Sequence, residues 1–221
     1  DGLTALDPDI PVLSEEDANI AQDVRAEWSR WWLVDPLDGT KEFIAGTEEF
    51  TVNVALIEHD RVVFGVVSMP TSSRCYYGGA TLGAWRADGD TIEPITVRTT
   101  PPAGEPLTVV ASRRHSSPEQ EKLLAGLSEH LGELTLTSVG SSLKFCLLAE
   151  GAADCYPRLV PTSQWDTAAA QGVLEGAGGV VLHLDGQPFT YPARASLLND
   201  SFLALPAKAP WRETLLNLAR A

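Results

Sequence analysis

Trp31-Trp32-Leu33-Val34-Asp35-Pro36-Leu37-Asp38-Gly39-Thr40-Lys41-Glu42-Phe43 decides how this chain is read. An apolar run enters a tight turn, and two carboxylates follow three positions apart around a proline, before Gly-Thr. Pro36 fixes its own φ and biases Asp35 toward extended geometry, so Asp35 reads as the last residue of a strand with its side chain leaving the sheet. Gly39 allows the close turn. A short helix over residues 39–43 would then present free backbone N–H groups and its positive end to an anion. Two carboxylates beside bare amides suit a phosphate bridged by hard divalent cations. The plainer reading is that Asp-Pro and Asp-Gly are ordinary turn dipeptides.

Outward from that stretch, residues 11–13 form a second short apolar run, which delivers Ser14-Glu15-Glu16-Asp17. Two strand-like runs therefore finish on carboxylates, although three consecutive acids also suit a solvated turn or a helix N-terminus. Pro8 and Pro11 argue against a helix over residues 1–13. Residues 50–57 and 61–67 are rich in β-formers, and His59-Asp60 between them predicts a hairpin. Further strands are expected at 74–77 and 83–86, the latter closed by Asp88-Gly89. Residues 94–106, with Pro101-Pro102 and Gly104, read as a linker. The expected division is an α+β part over residues 1–104 and an α/β part over 105–221.

Beyond the linker, strands are expected at 107–111, 134–139, 154–156, 180–182 and 202–205, and helices at 118–131, 142–150, 165–175 and from 210 onward. Strands alternating with helices predict a layered α/β fold. Trp165, Ala169 and Val173 share one face of the 165–175 helix, and small residues at 168–170 would let it approach another element closely. Ser163-x-x-Asp166 resembles a capping box, so Asp166 can be structural or can project from a helix N-terminus toward Asp35 and Asp38. Gly140-Ser141-Ser142-Leu143-Lys144 opens a helix after a strand, and Tyr156-Pro157-Arg158 sets a guanidinium after the next. The amides and the Lys144 ammonium can hold an anion, and an arginine suits bidentate phosphate contact or stacking on a base; the plainer reading of both is a surface lysine and a surface arginine.

The totals narrow the function classes. Thirty acidic against 16 basic residues give a net charge of −14, which disfavours nucleic-acid polymers and anionic membranes as partners. No run of 18 apolar residues predicts a membrane span, and no signal-peptide pattern is visible. Cys75, Cys146 and Cys155 lack metal-site spacing and read as reduced thiols of a cytoplasmic protein. Of the four histidines, His59, His130 and His183 read as turn or surface residues, and His115 alone, after Ser112-Arg113-Arg114, is expected to approach a ligand.

Taken together, Ser14-Glu15-Glu16, D-P-L-D-G-T-K-E-F, and Trp165-Asp166-x-Ala168-Ala169 with Gly178-Gly179 resemble the inositol monophosphatase superfamily of lithium-sensitive, magnesium-dependent phosphatases. F-T-V-N-V-A-L-I, G-S-S-L-K-F-C-L and Y-P-R are most similar to its bacterial 3'(2'),5'-bisphosphate nucleotidase branch, and the resemblance covers essentially the whole chain. It implies a layered αβαβα sandwich. It implies two or more Mg²⁺, one on Glu15, Asp35 and the Leu37 carbonyl, the other on Asp35, Asp38 and Asp166. Thr40 would orient the attacking water, and the Gly39 and Thr40 amides would take the scissile phosphate. Ser141, Lys144 and Arg158 fall where nucleotide-selective members hold the adenosine and its other phosphate.

The implied reaction is direct hydrolysis of the 3'-phosphate of adenosine 3',5'-bisphosphate (pAp) to AMP, with the sulfated analogue PAPS as a further substrate, clearing a by-product of sulfate assimilation. The implied setting is cytoplasmic or peripheral at the inner membrane face, and a homodimer is compatible with it. The resemblance also implies a helical segment ahead of Ser14, bearing an aspartate bonded to the threonine matching Thr40, and places it before residue 1. An inositol or sugar monophosphatase, and a non-catalytic cation- or nucleotide-binding relative, are the alternatives.

Overall fold

The computed structural model describes residues 2–111 and 117–221. His115 and the Ser112-Arg113-Arg114 run before it lie outside the described residues.

The chain opens with α1 (Gly2–Leu6), β1 (Val12–Ser14) and α2 (Gln22–Ala26). Neither helix was expected. α1 ends before Pro8, so the prolines bound it rather than prevent it. α2 is a single turn, too short for a hydrophobic period to show. Tertiary contact holds it: the buried Arg25 donates from Nε to the Ile20 carbonyl at 3.1 Å and from Nη2 to the Arg194 carbonyl at 2.8 Å.

β2 (Arg30–Asp38), α3 (Thr40–Ile44), β3 (Thr51–Glu58), β4 (Arg61–Ser68), β5 (Arg74–Gly79), β6 (Gly83–Asp88) and β7 (Thr91–Pro94) follow. With β1 these strands form a seven-stranded sheet in sequence order. β1 runs parallel to β2, and the remaining pairs are antiparallel. β3 alternates strictly between buried and half-buried positions, as one face against a core requires. His59 and Asp60 both take positive φ, 48° and 64°, the geometry of a two-residue hairpin turn whose twist matches its strands. β7 escaped the sequence reading because all four of its residues are exposed, leaving no burial period, and it ends on Pro94 at the sheet edge.

Then come β8 (Leu107–Val110), α4 (Pro118–Leu131), β9 (Leu134–Thr137), α5 (Leu143–Ala149), β10 (Tyr156–Arg158), α6 (Gln164–Gly176), β11 (Gly179–His183), β12 (Phe202–Pro206) and α7 (Arg212–Arg220). β8 and β9 pair in parallel, and β10, β12 and β11 make an antiparallel sheet in that order. The strand expected at 154–156 begins at Tyr156 instead, because Asp154 and Cys155 are drawn to β8. The Asp154 carboxylate takes two 2.7 Å bonds from Arg98 and a 2.6 Å bond from the Thr108 N–H.

β12 shows how the layers stack. Phe202 and Ala204 belong to the large core beneath the seven-stranded sheet, while Leu203 and Leu205 belong to a smaller core shared with α4 and α7. Sheet, α5 and α6, second sheet, then α4 and α7 follow one another as a mixed α/β stack.

α6 lies at the centre, and the expected apolar stripe understates it: residues 167–174 are buried all round. Small residues make this possible. A Cβ on Gly65 would lie 1.9 Å from the Ala169 carbonyl oxygen, and one on Gly176 would lie 2.3 Å from that of Gly83. The helix backbone thus rests directly on β4 and the β5–β6 hairpin.

Candidate active site

Side chains alternate along a strand, so Asp35 and Asp38, three positions apart, would face opposite sides of a regular β2. The strand does not stop at Asp35 as expected. It continues past Pro36, which lacks an N–H for the ladder, and takes in one extra residue: Asp35 faces Asn53 while Asp38 faces Thr51, three steps against two. That bulge restores parity and lets both carboxylates point the same way. α6 brings in the third. Asp35, Asp38 and Asp166 each place an oxygen within 4.8 Å of the others.

Each of the three is anchored through a single oxygen. Asp35 Oδ1 accepts from the Leu37 N–H at 2.9 Å. Asp166 Oδ2 accepts from the Ser163 N–H at 2.7 Å, so its capping role and its place in the cluster coexist. Asp38 Oδ2 accepts from the Ser142 N–H at 2.6 Å, from Asn53 Nδ2 at 3.1 Å and from Thr51 Oγ1 at 3.4 Å. The Ser142 hydroxyl ties this shell together, lying 2.8 Å from both Thr51 Oγ1 and Asn53 Oδ1. The second oxygen of each aspartate has no partner among the described residues.

Three carboxylates this close resist ionisation. Burial, joined by the neighbouring Asp38 charge, pushes Asp35 up to about 8, and the same two causes push Asp166 up to about 7. Burial also raises Asp38, against the pull of Lys144. Oxygen ligands at this density, each with a free oxygen, fit a hard divalent cation; neither a cysteine nor a histidine belongs to the cluster.

Asp38, Gly39, Thr40 and Asp166 open onto a cleft of about 450 Å³, whose wall also carries Ser141, Lys144, Tyr156 and Arg158. Gly39 has φ +92°, the left-handed region that the turn into α3 requires. Thr40 Oγ1 donates to the Leu37 carbonyl at 3.4 Å. Lys144 donates to the Ser141 carbonyl at 3.0 Å, and Arg158 to the Val160 carbonyl at 3.2 Å. Among the described residues neither cation is paired with a carboxylate. Ser141 takes φ +48°, and its buried hydroxyl has no partner among the described residues.

Glu15 stands apart. It is exposed at the end of β1, its N–H donating to the Val34 carbonyl at 3.1 Å, and it is not one of the three clustered acids. Its charge nevertheless raises both Asp35 and Asp166. Thr51, Asn53 and Ser142 were missed from the sequence. The signal existed: Thr51 and Asn53 are polar residues at the buried positions of an alternating strand.

A family model described as the inositol monophosphatase family matches residues 1–215. The chain is 50% identical over 202 residues to the 3'(2'),5'-bisphosphate nucleotidase CysQ of Salmonella typhimurium, covering 91% of this chain and 78% of that one. It is 48% identical to its namesake from Escherichia coli K12, with the same coverage. The crystal structure of CysQ from Bacteroides thetaiotaomicron, a bacterial member of the same family, superposes with a TM-score of 0.81 at 38% identity, over 92% of this chain and 79% of that chain.

Proposed function

Because this chain belongs to the inositol monophosphatase family, we propose that it is a Mg²⁺-dependent 3'(2'),5'-bisphosphate nucleotidase that hydrolyses the 3'-phosphate of pAp to give AMP and phosphate, and accepts PAPS. The observation that carries this reading is the cleft itself: Asp38 and Asp166 of the three-aspartate cluster line it together with Lys144 and Arg158, which have no salt bridge among the described residues. A substrate with two separated phosphate groups matches both features. An inositol monophosphate would leave the second pair of charges with little to bind. Relatives named for the bisphosphate reaction, at up to 50% identity, support the same substrate class.

In this reading Asp35, Asp38 and Asp166 hold the ions, with Glu15 and the Leu37 carbonyl completing the set. When bound, paired divalent ions supply charge neutralisation at the phosphoryl oxygens and activation of the attacking water. The chain's residues do the rest. The Ser142, Asn53 and Thr51 donors fix Asp38, so its free oxygen is aimed before any ligand arrives. Thr40, at the cleft, orients the water, and the Gly39 and Thr40 amides face the scissile phosphate. Lys144 and Arg158 bind the 5'-phosphate, with Ser141 beside them. Among the described residues no helix is long and apolar enough to cross a membrane; the setting we propose is cytoplasmic, in keeping with the three free cysteines.

Phosphate release from pAp and from inositol 1-phosphate, measured side by side with Mg²⁺ and with chelator, tests the assignment. Preference for pAp that vanishes with chelator is expected. Preference for the inositol ester would overturn the substrate, and turnover undiminished by chelator would overturn the metal.

A further inference from the structure

α6 meets the large sheet through glycine and alanine, at Gly65 against Ala169 and at Gly176 against Gly83. So smooth a contact permits close approach, but without interlocking large side chains it resists rotation of the helix poorly. Rotation matters here. A carboxylate about 6 Å from the helix axis moves about 1 Å for a turn of roughly 10°, whereas metal–ligand distances tolerate only about 0.2 Å.

Another face of α6 carries polar residues at every fourth position, Thr167, Gln171 and Glu175, and a buried ladder runs along them. Asn199 Nδ2 donates to Thr167 Oγ1 at 2.9 Å, and the Thr167 and Tyr191 hydroxyls lie 2.9 Å apart. Tyr191 Oη donates to Gln171 Oε1 at 2.8 Å, and Gln171 Nε2 donates to Glu175 Oε1 at 2.8 Å and to the Phe189 carbonyl at 3.1 Å. Since the single Tyr191 proton goes to Gln171, the Thr167 hydroxyl is the donor in its 2.9 Å contact with Tyr191, and the Gln164 carbonyl at 3.2 Å is the other acceptor open to the same Thr167 proton. At its upper end the Ser163 carbonyl at 2.7 Å and Thr162 Oγ1 at 3.1 Å share the two protons of Asn199 Nδ2 with Thr167, gripping the turn whose Ser163 N–H holds Asp166.

We propose that Tyr191, fully buried and outside the lining of the cleft, is a positioning residue for the reaction: its hydroxyl fixes the rotation of α6 and so the place of Asp166 beside Asp35 and Asp38. The inference rests on the reading of those three acids as ion ligands. Tyr191→Phe removes one oxygen and keeps the ring that packs 5.7 Å from Phe189.

Mg²⁺ is titrated into the chelator-treated protein and followed twice, by melting temperature and by phosphate release. The half-saturating Mg²⁺ concentration is expected to rise about tenfold in Tyr191→Phe, with kcat at saturating Mg²⁺ close to wild type. Gln171→Met, which cuts the ladder one link further on, moves the midpoint the same way and decides the matter if Tyr191→Phe does not fold. Leu127→Ala, in the smaller core, lowers the melting temperature without moving the midpoint. Ladder variants that titrate at the wild-type midpoint, whatever their melting temperature, overturn this inference alone. An Asp38→Asn protein that responds to Mg²⁺ as the wild type does overturns the ion reading and this inference with it.

Discussion

At the residue scale, the chemistry turns on acids held together at a cost in repulsion. Asp35 and Asp166 have folded-state values of about 8 and about 7, above the ordinary 3.8. A raised carboxylate stabilises the fold below its unfolded value and loses that contribution as pH climbs through the folded one. Without divalent ions the melting temperature should therefore fall by several degrees between pH 5 and pH 8, and saturating Mg²⁺ should remove most of the fall. A flat profile without ions, read by calorimetry, contradicts the crowding of these acids. Asp38→Asn keeps an acceptor for the Ser142 N–H while deleting a charge. We expect it to lose turnover by about a thousandfold or more, in line with the loss of a metal-ion contribution to charge stabilisation, yet to melt no lower than wild type in chelator. Arg158→Met should raise KM for pAp by about 10–100-fold, the worth of a charge-assisted hydrogen bond. The same change should leave KM for a monophosphate lacking the second group nearly unmoved; equal loss on both substrates would remove Arg158 from the specificity account.

Much of this residue-scale picture was legible in the chain. Asp35, Asp38 and Asp166 announced themselves by the turn and cap residues around them, since Pro36, Gly39 and Ser163 have few reasons to stand where they do. Ser142 was not legible. Ser141 and Ser142 are neighbours of identical chemistry, and which of them turns inward is set by the positive φ of Ser141, a backbone property with no signature in serine itself.

At the element scale, β2 and α6 are the two parts that everything else positions. The β2 bulge was invisible to pattern reading because Pro36 suggested a strand end, whereas the ladder only skips it and resumes at Asp38. α6 was found, but its complete burial was not, because alanine and glycine are compatible with exposed and buried faces alike. α1, α2 and β7 went unseen for separate reasons: Pro8 bounds α1 rather than barring it, α2 is a single turn too short for a period to show, and all four residues of β7 are exposed. The tightness of the α6 contact makes its own prediction. Gly65→Ala would place a Cβ 1.9 Å from the Ala169 carbonyl oxygen, backbone that cannot rotate aside. We expect a loss of about 3 kcal/mol, at the upper end of overpacking costs, together with weaker Mg²⁺ binding because α6 carries Asp166. Denaturant unfolding checks the first part, and a wild-type midpoint would show that the helix floats more freely than the contact implies.

At the scale of the whole molecule, the division at residues 104 and 105 that we propose is one of sheets rather than of cores. The seven-stranded sheet closes at Pro94, and β8 opens a separate sheet at Leu107. The large core ignores that boundary, joining Leu13, Leu33 and Ile57 from one side to Phe145, Val173 and Phe202 from the other. The cleft sets Lys41, Lys144 and Arg158 beside Asp38, Glu42, Glu49 and Asp166 in a chain of net charge −14, so its attraction for a polyanionic substrate depends on cations held by those acids.

The account depends most on two distant segments, the end of β2 and the start of α6, supplying one ion site. Anomalous diffraction from crystals soaked in Mn²⁺, a stand-in for Mg²⁺ with a usable signal, addresses it directly. The account predicts strong peaks within ligand distance of the free oxygens of Asp35, Asp38 and Asp166. Manganese found only elsewhere, with those oxygens bare at saturating ion, would contradict it.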